Sequence, residues 1–117
     1  MTLMMIYKPF SIVAVPFPFT DIADVKRRPA VVLSSEHHQK NTKHITLLMI
    51  TSAKHSHWYD DYIITDLKSA GLSASSLIRQ KIFTLDIHLI LDCIGKLSTK
   101  DKDALIKIIQ QHLKSII

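Results

Sequence analysis

Short apolar runs fill most of this 117-residue chain, and a helical stripe of apolar residues replaces them only near its end. Runs rich in β-branched residues and bounded by proline, glycine or polar clusters are typical of buried strands. Runs of this kind predict five strands, at residues 12–15, 29–35, 44–52, 59–65 and 76–86. We expect the fourth strand to pair with the third, and the fifth to be either one strand or two strands joined by a bend.

The segments between these runs are polar or are interrupted by turn residues. EHHQKNTK, at residues 36–43, is polar throughout and predicts a loop. DLKSAGLSASS, at residues 66–76, contains a glycine and several serines and predicts a turn region. DIHLILDCI, at residues 86–94, is followed by Gly95 and predicts a short helix or a turn.

The last stretch of the chain has the spacing of an amphipathic helix. Its apolar residues fall at positions 105, 108, 109, 113 and 116. This is the i, i+3, i+4 pattern of one helix face, and Ser98 followed by Asp101 is a capping signature for its start. Five strands and a helix predict an α+β, mainly β fold, in which a strongly curved sheet or partly closed barrel packs beside the helix. The length indicates a single domain, residues 1–117.

Composition indicates a globular protein. With 47% hydrophobic residues, 21% charged residues and two glycines, the chain is unlike disordered or low-complexity sequences. No run approaches the roughly 18 apolar residues of a membrane span, and the N-terminus lacks the pattern of a signal peptide. A single cysteine, Cys93, excludes an internal disulfide and suits a reducing compartment. We therefore expect a cytoplasmic protein that uses neither a metal nor another cofactor and does not bind a membrane.

The excess positive charge is concentrated in one third of the chain. Residues 26–57 carry six Lys or Arg against one acid, Glu36, which accounts for the whole formal net charge of +5. The rest of the chain holds nine charges of each sign, and five of the seven histidines also fall within 26–57. Cations gathered in this way raise the local potential and favour a polyanionic partner, most often nucleic acid.

Four segments of the sequence, in this order, resemble the MazF/PemK family of toxin–antitoxin endoribonucleases. They are IVAVPFPFTDIADVKRRPAVVLSS, LLMITS, AGLSASSLIRQKIFTLD and IGKLSTKD. The resemblance runs from Ile12 to the last helix. It implies a small SH3-like barrel of the PemK/MazF type with a C-terminal amphipathic helix, a homodimer, sequence-selective cleavage of single-stranded RNA without a metal, and a cognate antitoxin as partner.

One position departs from the pattern of that family. Its members commonly carry Gly-Asp directly before the first strand, where this chain has Phe10 and Ser11. Glycine at such a position relieves a tight backbone conformation. The departure is therefore expected to affect the local geometry near the loop that carries Lys26, Arg27 and Arg28.

Two residues are the candidates for catalysis, Arg28 and Thr51. In metal-free cleavage the ribose 2′-hydroxyl loses a proton, the leaving 5′-oxygen gains one, and the phosphate charge must be stabilised. Arg28 suits the last task because its planar fork donates two hydrogen bonds, and Pro29 holds its backbone extended. Thr51 places a hydroxyl at a strand end, where it bonds the phosphate or relays a proton. Arg28 matches the catalytic arginine of the family's Arg-Pro motif, and Thr51 matches the threonine of its Ile-Thr-Ser motif.

Further residues are expected to bind RNA. They are Lys26, Arg27, Ser52, Lys54, Trp58, Arg79 and Lys81. Arg79 matches a basic position in the family's S-x-x-R strand. Trp58 either stacks on unpaired bases or packs beneath the loop. His55 or His57 is an alternative general base, since imidazole titrates near neutral pH, although plain solvated histidines are commoner.

Two other functions fit the same resemblance. Toxins of this fold that poison DNA gyrase cut nothing, and such a protein would use its C-terminal helix and dimer face rather than Arg28. A degenerate member would bind its antitoxin without activity, and the departure at Phe10 and Ser11 leaves this reading open. The Arg-Pro and Ile-Thr-Ser motifs favour the nuclease.

Overall fold

The computed structural model describes residues 4–17, 26–54 and 57–116. Its strands are β1 Ser11–Phe17, β2 Lys26–Val32, β3 His44–Ser52, β4 Tyr62–Ile63, β5 Ser76–Asp86 and β6 Asp92–Lys96. Its helices are α1 Glu36–Thr42, α2 Leu67–Ala70 and α3 Thr99–His112, and a 3₁₀ turn covers Ile87–Leu89. No helix among these residues is long and apolar enough to cross a membrane.

The six strands form one antiparallel sheet in the order β4-β5-β3-β2-β1-β6. The sheet is curled into a half-barrel and is followed by the C-terminal helix, which confirms the predicted fold class. The third and fifth predicted strands have the bounds expected from their apolar runs. The predicted turn or short helix at 86–94 divides into the 3₁₀ turn and the first part of β6.

A bulge interrupts the long ladder between β3 and β5. Leu48 lies opposite Ile82, whereas the next residue, Met49, lies opposite Arg79. Two residues of β5 between these pairs, at positions 80 and 81, therefore have no partner on β3. Extra residues on one strand bend it and increase its twist, which accounts for the bend that the sequence allowed in this strand.

Apolar side chains on the two faces of the sheet form two separate cores. The first core contains Tyr7, Val13, Val15, Ala30, Val32, Ile45, Leu47, Leu85 and Ile87. The second core contains Ile12, Val31, Leu48, Ile50, Ile64, Ala70, Ile78, Leu97 and Leu105. Side chains alternate between the faces of a strand, so the central strands supply both cores. The second core also includes α2 and α3, whereas the first core packs against the N-terminal segment.

The polar segment at 36–43 forms a helix, so the predicted loop is wrong. Ser35 caps this helix, its Oγ accepting a hydrogen bond from the His38 N–H at 3.1 Å. Gln39 is completely buried; its amide accepts from the Tyr7 N–H at 2.8 Å and donates to the Tyr7 carbonyl at 2.7 Å. A buried amide is stable when its hydrogen bonds are satisfied. A search for apolar periodicity misses such a helix because its buried residue is polar.

The fourth strand is shorter than predicted and has a different partner. Only Tyr62–Ile63 of the predicted 59–65 forms a strand, and it pairs with Ile78 and Leu77 of β5. The expected pairing with the third strand is wrong because β3 already has β5 on one edge and β2 on the other.

The first two strands differ from their predicted bounds, and β2 ends at Val32 and not at Ser35 as expected. β1 continues through Pro16 to Phe17, and β2 begins at Lys26, three residues before Pro29. Pairing of β1 with β6 reaches Ala14, so each strand has a single neighbour where its proline lies. A missing N–H at such an edge need cost no ladder bond. The run of three cations therefore lies in the sheet and not in a turn.

The predicted turn region at 66–76 contains the short helix α2, which packs against β6. Gly71 ends α2 with a φ of 73°, and a Cβ there would lie 2.0 Å from the Ile94 carbonyl oxygen. A Cβ on Gly95 would lie 2.4 Å from the carbonyl carbon of Ala70. Both glycines of the chain are therefore required by one backbone contact.

Phe10 has a left-handed backbone conformation directly before β1. Its φ is 69°, which is unusual for an aromatic residue. Its N–H donates to the Val32 carbonyl at 2.7 Å, and its carbonyl accepts from the Leu97 N–H at 3.0 Å. These two hydrogen bonds hold the left-handed conformation at this position.

A buried carboxylate fastens α3 to the segment that joins β4 and α2. Ser98 caps α3 by accepting from the Asp101 N–H at 3.2 Å, as the sequence predicted. Asp101 is fully buried and accepts from the Tyr62 hydroxyl at 2.6 Å, the Thr65 hydroxyl at 2.7 Å and the Asp66 N–H at 3.0 Å. Burial would raise the pKa of Asp101, but these hydrogen bonds lower it from 3.8 to about 2.

Replacement of this carboxylate tests the attachment of α3. Asp101→Asn should lower the free energy of unfolding at neutral pH by about 2 kcal/mol. Because the folded pKa, about 2, lies below the ordinary 3.8, the stabilisation is complete above 3.8 and is lost as the pH falls towards 2. Denaturant unfolding should therefore show a difference between the two proteins that shrinks over this interval. Asp103→Asn, an exposed change on the same helix, is the control. A difference that stays constant down to the lowest pH would contradict the prediction.

Candidate active site

A cleft of about 230 Å³ opens at the ends of four neighbouring strands. It is lined by Phe17, Arg28, Met49, Ile50, Thr51, Arg79 and Lys81. Arg28 follows the same alternation along β2 as Ala30 and Val32, which belong to the first core. The cleft therefore lies on the same face of the sheet as the first core and next to it. The structure brings Arg28 and Thr51 together with two of the predicted RNA-binding cations.

Arg28 lies in β2 opposite Val15 and is half-buried. Its guanidinium carbon is 5.9 Å from the centroid of the Phe17 ring, a distance at which cation and ring attract each other. Its Nε is buried and has no hydrogen-bond partner within the described part of the chain. Pro29 keeps the backbone of Arg28 extended. The side chain is thus held in the cleft with a donor that no described protein group satisfies.

Thr51 is the second-last residue of β3 and is half-buried. It lies opposite Leu77 of β5, and two residues before it Met49 lies opposite Arg79. The two long strands therefore fix the positions of Thr51 and Arg79 relative to each other. This geometry presents a hydroxyl group beside two guanidinium groups in one cleft.

Arg79 forms a buried ion pair with Asp61. The Arg79 Nε donates to Asp61 Oδ1 at 3.1 Å, and Nη2 donates to Oδ2 at 2.8 Å. The side chains are 10% and 5% exposed, respectively, so the two charges are largely removed from water. Burial would raise the pKa of Asp61, but the hydrogen bonds from Arg79 and from the Trp58 N–H lower it below 3.8. Asp61 is therefore ionised whenever the protein is near neutral pH.

Trp58 rests on the cations of β5. The centroid of its indole is 5.0 Å from the guanidinium carbon of Arg79 and 5.2 Å from the Lys81 ammonium nitrogen. The backbone N–H of Trp58 donates to Asp61 Oδ2 at 2.7 Å. The carboxylate that holds Arg79 therefore also fixes the backbone of Trp58. The residue is 42% exposed, so part of its surface is open to solvent.

The first two cations of the Lys26-Arg27-Arg28 run do not line the cleft. Neighbouring residues of a strand point to opposite faces, so Arg27 points away from the side that carries Arg28. Its guanidinium lies 3.7 Å from the Asp92 carboxylate, and both side chains are mostly exposed. Lys26 lies on the same face as Arg28 and is exposed at the start of β2.

Other predicted residues surround the end of β3. Ser52 is half-buried, and its Oγ accepts from the Lys54 N–H at 3.3 Å, which orders the turn after the strand. Lys54 and His57 are exposed. His55 lies outside the described residues. Within residues 4–17, 26–54 and 57–116, no three His, Cys, Asp or Glu side chains form a group that could hold a metal ion.

Sequence analysis missed Asp61, which lines a second cavity and holds Arg79, a residue of the cleft. A second cavity of about 540 Å³ lies between the segment before β4 and helix α3. Its lining consists of Tyr59, Asp60, Asp61, Lys107, Ile108, Gln111 and His112. This cavity is larger than the cleft, but it contains neither Arg28 nor Thr51. The only sequence signal for Asp61 is the acidic pair that follows Trp58 and Tyr59, and it does not identify a partner 18 residues away.

Comparison with known proteins identifies the class of the chain. A sequence model of the PemK-like, MazF-like toxins of type II toxin–antitoxin systems matches residues 8–113. The match covers most of the 117 residues, so the chain belongs to this family. The members of the family are generally endoribonucleases. No curated protein matches the chain in sequence.

Several solved structures share the fold. An endoribonuclease from Mycobacterial species, in complex with its cognate antitoxin, is 12% identical with a TM-score of 0.73, and the match covers 95% of this chain and 96% of that chain. A chain of the MazE-MazF crystal structure from Deinococcus radiodurans is 15% identical, with a TM-score of 0.73 and coverages of 94% and 98%. The Mycobacterium tuberculosis toxin MazF-mt6 is 18% identical, with a TM-score of 0.70 and coverages of 89% and 96%. At these identities the comparison shows the fold.

The ion pair between Asp61 and Arg79 is open to a double-mutant cycle. Either Asp61→Asn or Arg79→Gln leaves one buried group without its partner and should lower the free energy of unfolding by about 3 kcal/mol. The double variant should lose about 1 kcal/mol less than the sum of the single losses. Denaturant unfolding measures all three, with Asp60→Asn as the control next in sequence. Additive losses would show that the two side chains do not interact.

Proposed function

We propose that this protein is an endoribonuclease toxin that cleaves single-stranded RNA sequence-selectively and without a metal. Membership of the PemK-like, MazF-like family supports the class. The observation that carries the proposal is that Arg28 and Thr51 line one cleft together with two further cations, Arg79 and Lys81. A phosphate oxygen is the acceptor that a guanidinium group suits best.

The proposed reaction is a transesterification, in which the phosphoryl group passes from the 5′-oxygen to the 2′-oxygen of the RNA. The 2′-hydroxyl gives up its proton and attacks phosphorus, the bond from phosphorus to the 5′-oxygen breaks, and the 5′-oxygen takes up a proton. The products are a 2′,3′-cyclic phosphate and a 5′-hydroxyl. Arg28 stabilises the negative charge on the phosphate oxygens during the transfer. Thr51 donates its hydroxyl hydrogen bond to the same phosphate and so orients phosphorus towards the attacking oxygen.

The cations around the cleft provide the remaining affinity for RNA. Lys81 lines the cleft, and Lys26 and Lys54 lie exposed at the ends of the strands that form it. Such cations release counterions when they contact phosphates, so binding should weaken as salt rises. We also propose a homodimer and a cognate antitoxin as partner. The antitoxin complexes among the structures of similar fold support the antitoxin as partner.

Cleavage of single-stranded RNA in EDTA tests the proposed function. The unmodified protein should cleave, Arg28→Ala should reduce the rate by about 10²- to 10³-fold, and Thr51→Ala should reduce it by about 10-fold or more. Arg28→Lys should restore only part of the rate, because an ammonium group keeps the charge but lacks the two-pronged geometry. Lys100→Ala removes an exposed charge from the first turn of α3 and serves as the control. Thermal unfolding of each variant excludes misfolding as the cause.

The same experiment separates the other functions. Intact RNA together with growth arrest and altered DNA supercoiling in cells would replace the nuclease by a gyrase poison. Intact RNA without growth arrest would indicate a family member that only binds its antitoxin. Cleavage that is lost in EDTA and restored by a divalent cation would overturn the metal-free reaction while leaving the nuclease class in place.

A further inference from the structure

We propose that Trp58, supported by Arg79 and Lys81 and positioned by Asp61, is a stacking platform for an unpaired RNA base next to the cleaved phosphate. This inference rests on the proposed function and deepens it. Asp61 is assigned as a positioning residue, because it acts through Trp58 and Arg79 and does not itself touch the RNA.

The indole of Trp58 has the surroundings of a platform. Arg79 and Lys81 both project from β5, at 5.0 Å and 5.2 Å from the ring centroid. Both cations belong to one strand, β5, and the side of the indole that faces away from them is the surface proposed for the base. The 42% exposure of the residue agrees with this arrangement. A large flat apolar surface that remains accessible is what an unpaired base stacks on.

The platform adjoins the place proposed for the phosphate. Arg79 and Lys81, which contact the ring, also line the cleft that contains Arg28 and Thr51. A phosphate bound by Arg28 would therefore have the indole on the β5 side of the same cleft. The nucleotide attached to that phosphate is the one whose base reaches Trp58.

One carboxylate fixes the platform. Asp61 accepts a hydrogen bond from the Trp58 N–H at 2.7 Å and two from the Arg79 guanidinium at 3.1 Å and 2.8 Å. Only 5% of the Asp61 side chain is exposed. This buried carboxylate fixes the backbone of Trp58 and the guanidinium of Arg79 relative to each other. A platform fixed before binding loses little conformational freedom when the base arrives.

The charge behind the ring favours a nucleobase over other occupants. Cations near one side of an indole counter the negative potential of its π-face. The free side is thereby less attractive to a lysine or arginine of a protein partner, whereas an electron-rich base still stacks on it. Stacking of this kind accepts every base. The platform therefore contributes affinity for RNA and positions the RNA strand, whereas sequence selectivity must come from other groups.

Trp58 is the only tryptophan in the chain, so intrinsic fluorescence reports on the platform alone. The probe is a single-stranded 2′-O-methyl RNA of mixed sequence, which keeps the RNA bases but lacks the free 2′-hydroxyl needed for cleavage. Its addition should quench the Trp58 emission with the same midpoint as the anisotropy of a labelled probe. Trp58→Leu should weaken binding by about 5- to 100-fold, and Trp58→Phe should restore part of the loss. Tyr59→Leu, which removes the fully exposed aromatic residue next in sequence, should change binding less than twofold.

The outcomes distinguish this inference from the proposed function. Binding by anisotropy without quenching, or equal losses for Trp58→Leu and Tyr59→Leu, would overturn the platform while leaving the nuclease intact. Absence of both RNA binding and RNA cleavage would overturn the two together.

The positioning role of Asp61 has its own readout. Asp61→Asn should raise KM for RNA cleavage about as much as Trp58→Leu, with a much smaller change in kcat, because Arg28 and Thr51 remain in place. In the Trp58→Leu background, Asp61→Asn should add less than a twofold further loss of RNA affinity. A merely structural role would instead lower kcat and the folded fraction together. If Asp61→Asn does not fold, Arg79→Lys takes its place, and a KM like that of the unmodified protein would count against the assignment.

Discussion

The ladder between β3 and β5 fixes the positions of Thr51 and Arg79 relative to each other, and with them one wall of the cleft. Residues on one face of a strand recur at every second position, and a slip of one residue would send them to the opposite face. The bulge leaves two residues of β5 without partners, and two is an even number. The alternation is therefore kept on both sides of it: Leu85 faces the first core at one end, and Arg79 faces the cleft at the other. The bulge bends the strand without changing its orientation.

Two buried carboxylates hold the connections of this small sheet in place. Asp101 joins α3 to the segment after β4, and Asp61 joins the segment before β4 to β5. Each carboxylate accepts hydrogen bonds from groups 18 or more residues away in sequence, and burial makes those bonds costly to break. The two-residue strand β4 lies between them. A strand this short has few ladder bonds of its own, so the carboxylates on either side account for its fixed position.

The features that follow from local pattern were predictable, and those that depend on distant contacts were not. The bounds of β3 and β5 and the cap of α3 at Ser98 follow from apolar runs and a capping residue. Helix α1 was missed because its buried residue, Gln39, is polar and is satisfied by a segment 32 residues earlier. The second strand was predicted to begin only at Pro29, so the pleating that directs Arg28 into the cleft and Arg27 away from it was not foreseen. The pairing of Arg79 with Asp61, 18 residues away, has no local signature.

The position of Asp61 connects the larger cavity to the cleft. Its carboxylate borders the larger cavity beside α3, and the guanidinium that it grips borders the cleft. A small compound could bind in the cavity beside the C-terminal helix and attract the Asp61 carboxylate. Arg79 would then lose its ion pair, and its position in the cleft would no longer be fixed. Such a compound would weaken binding in the cleft without occupying the cleft itself.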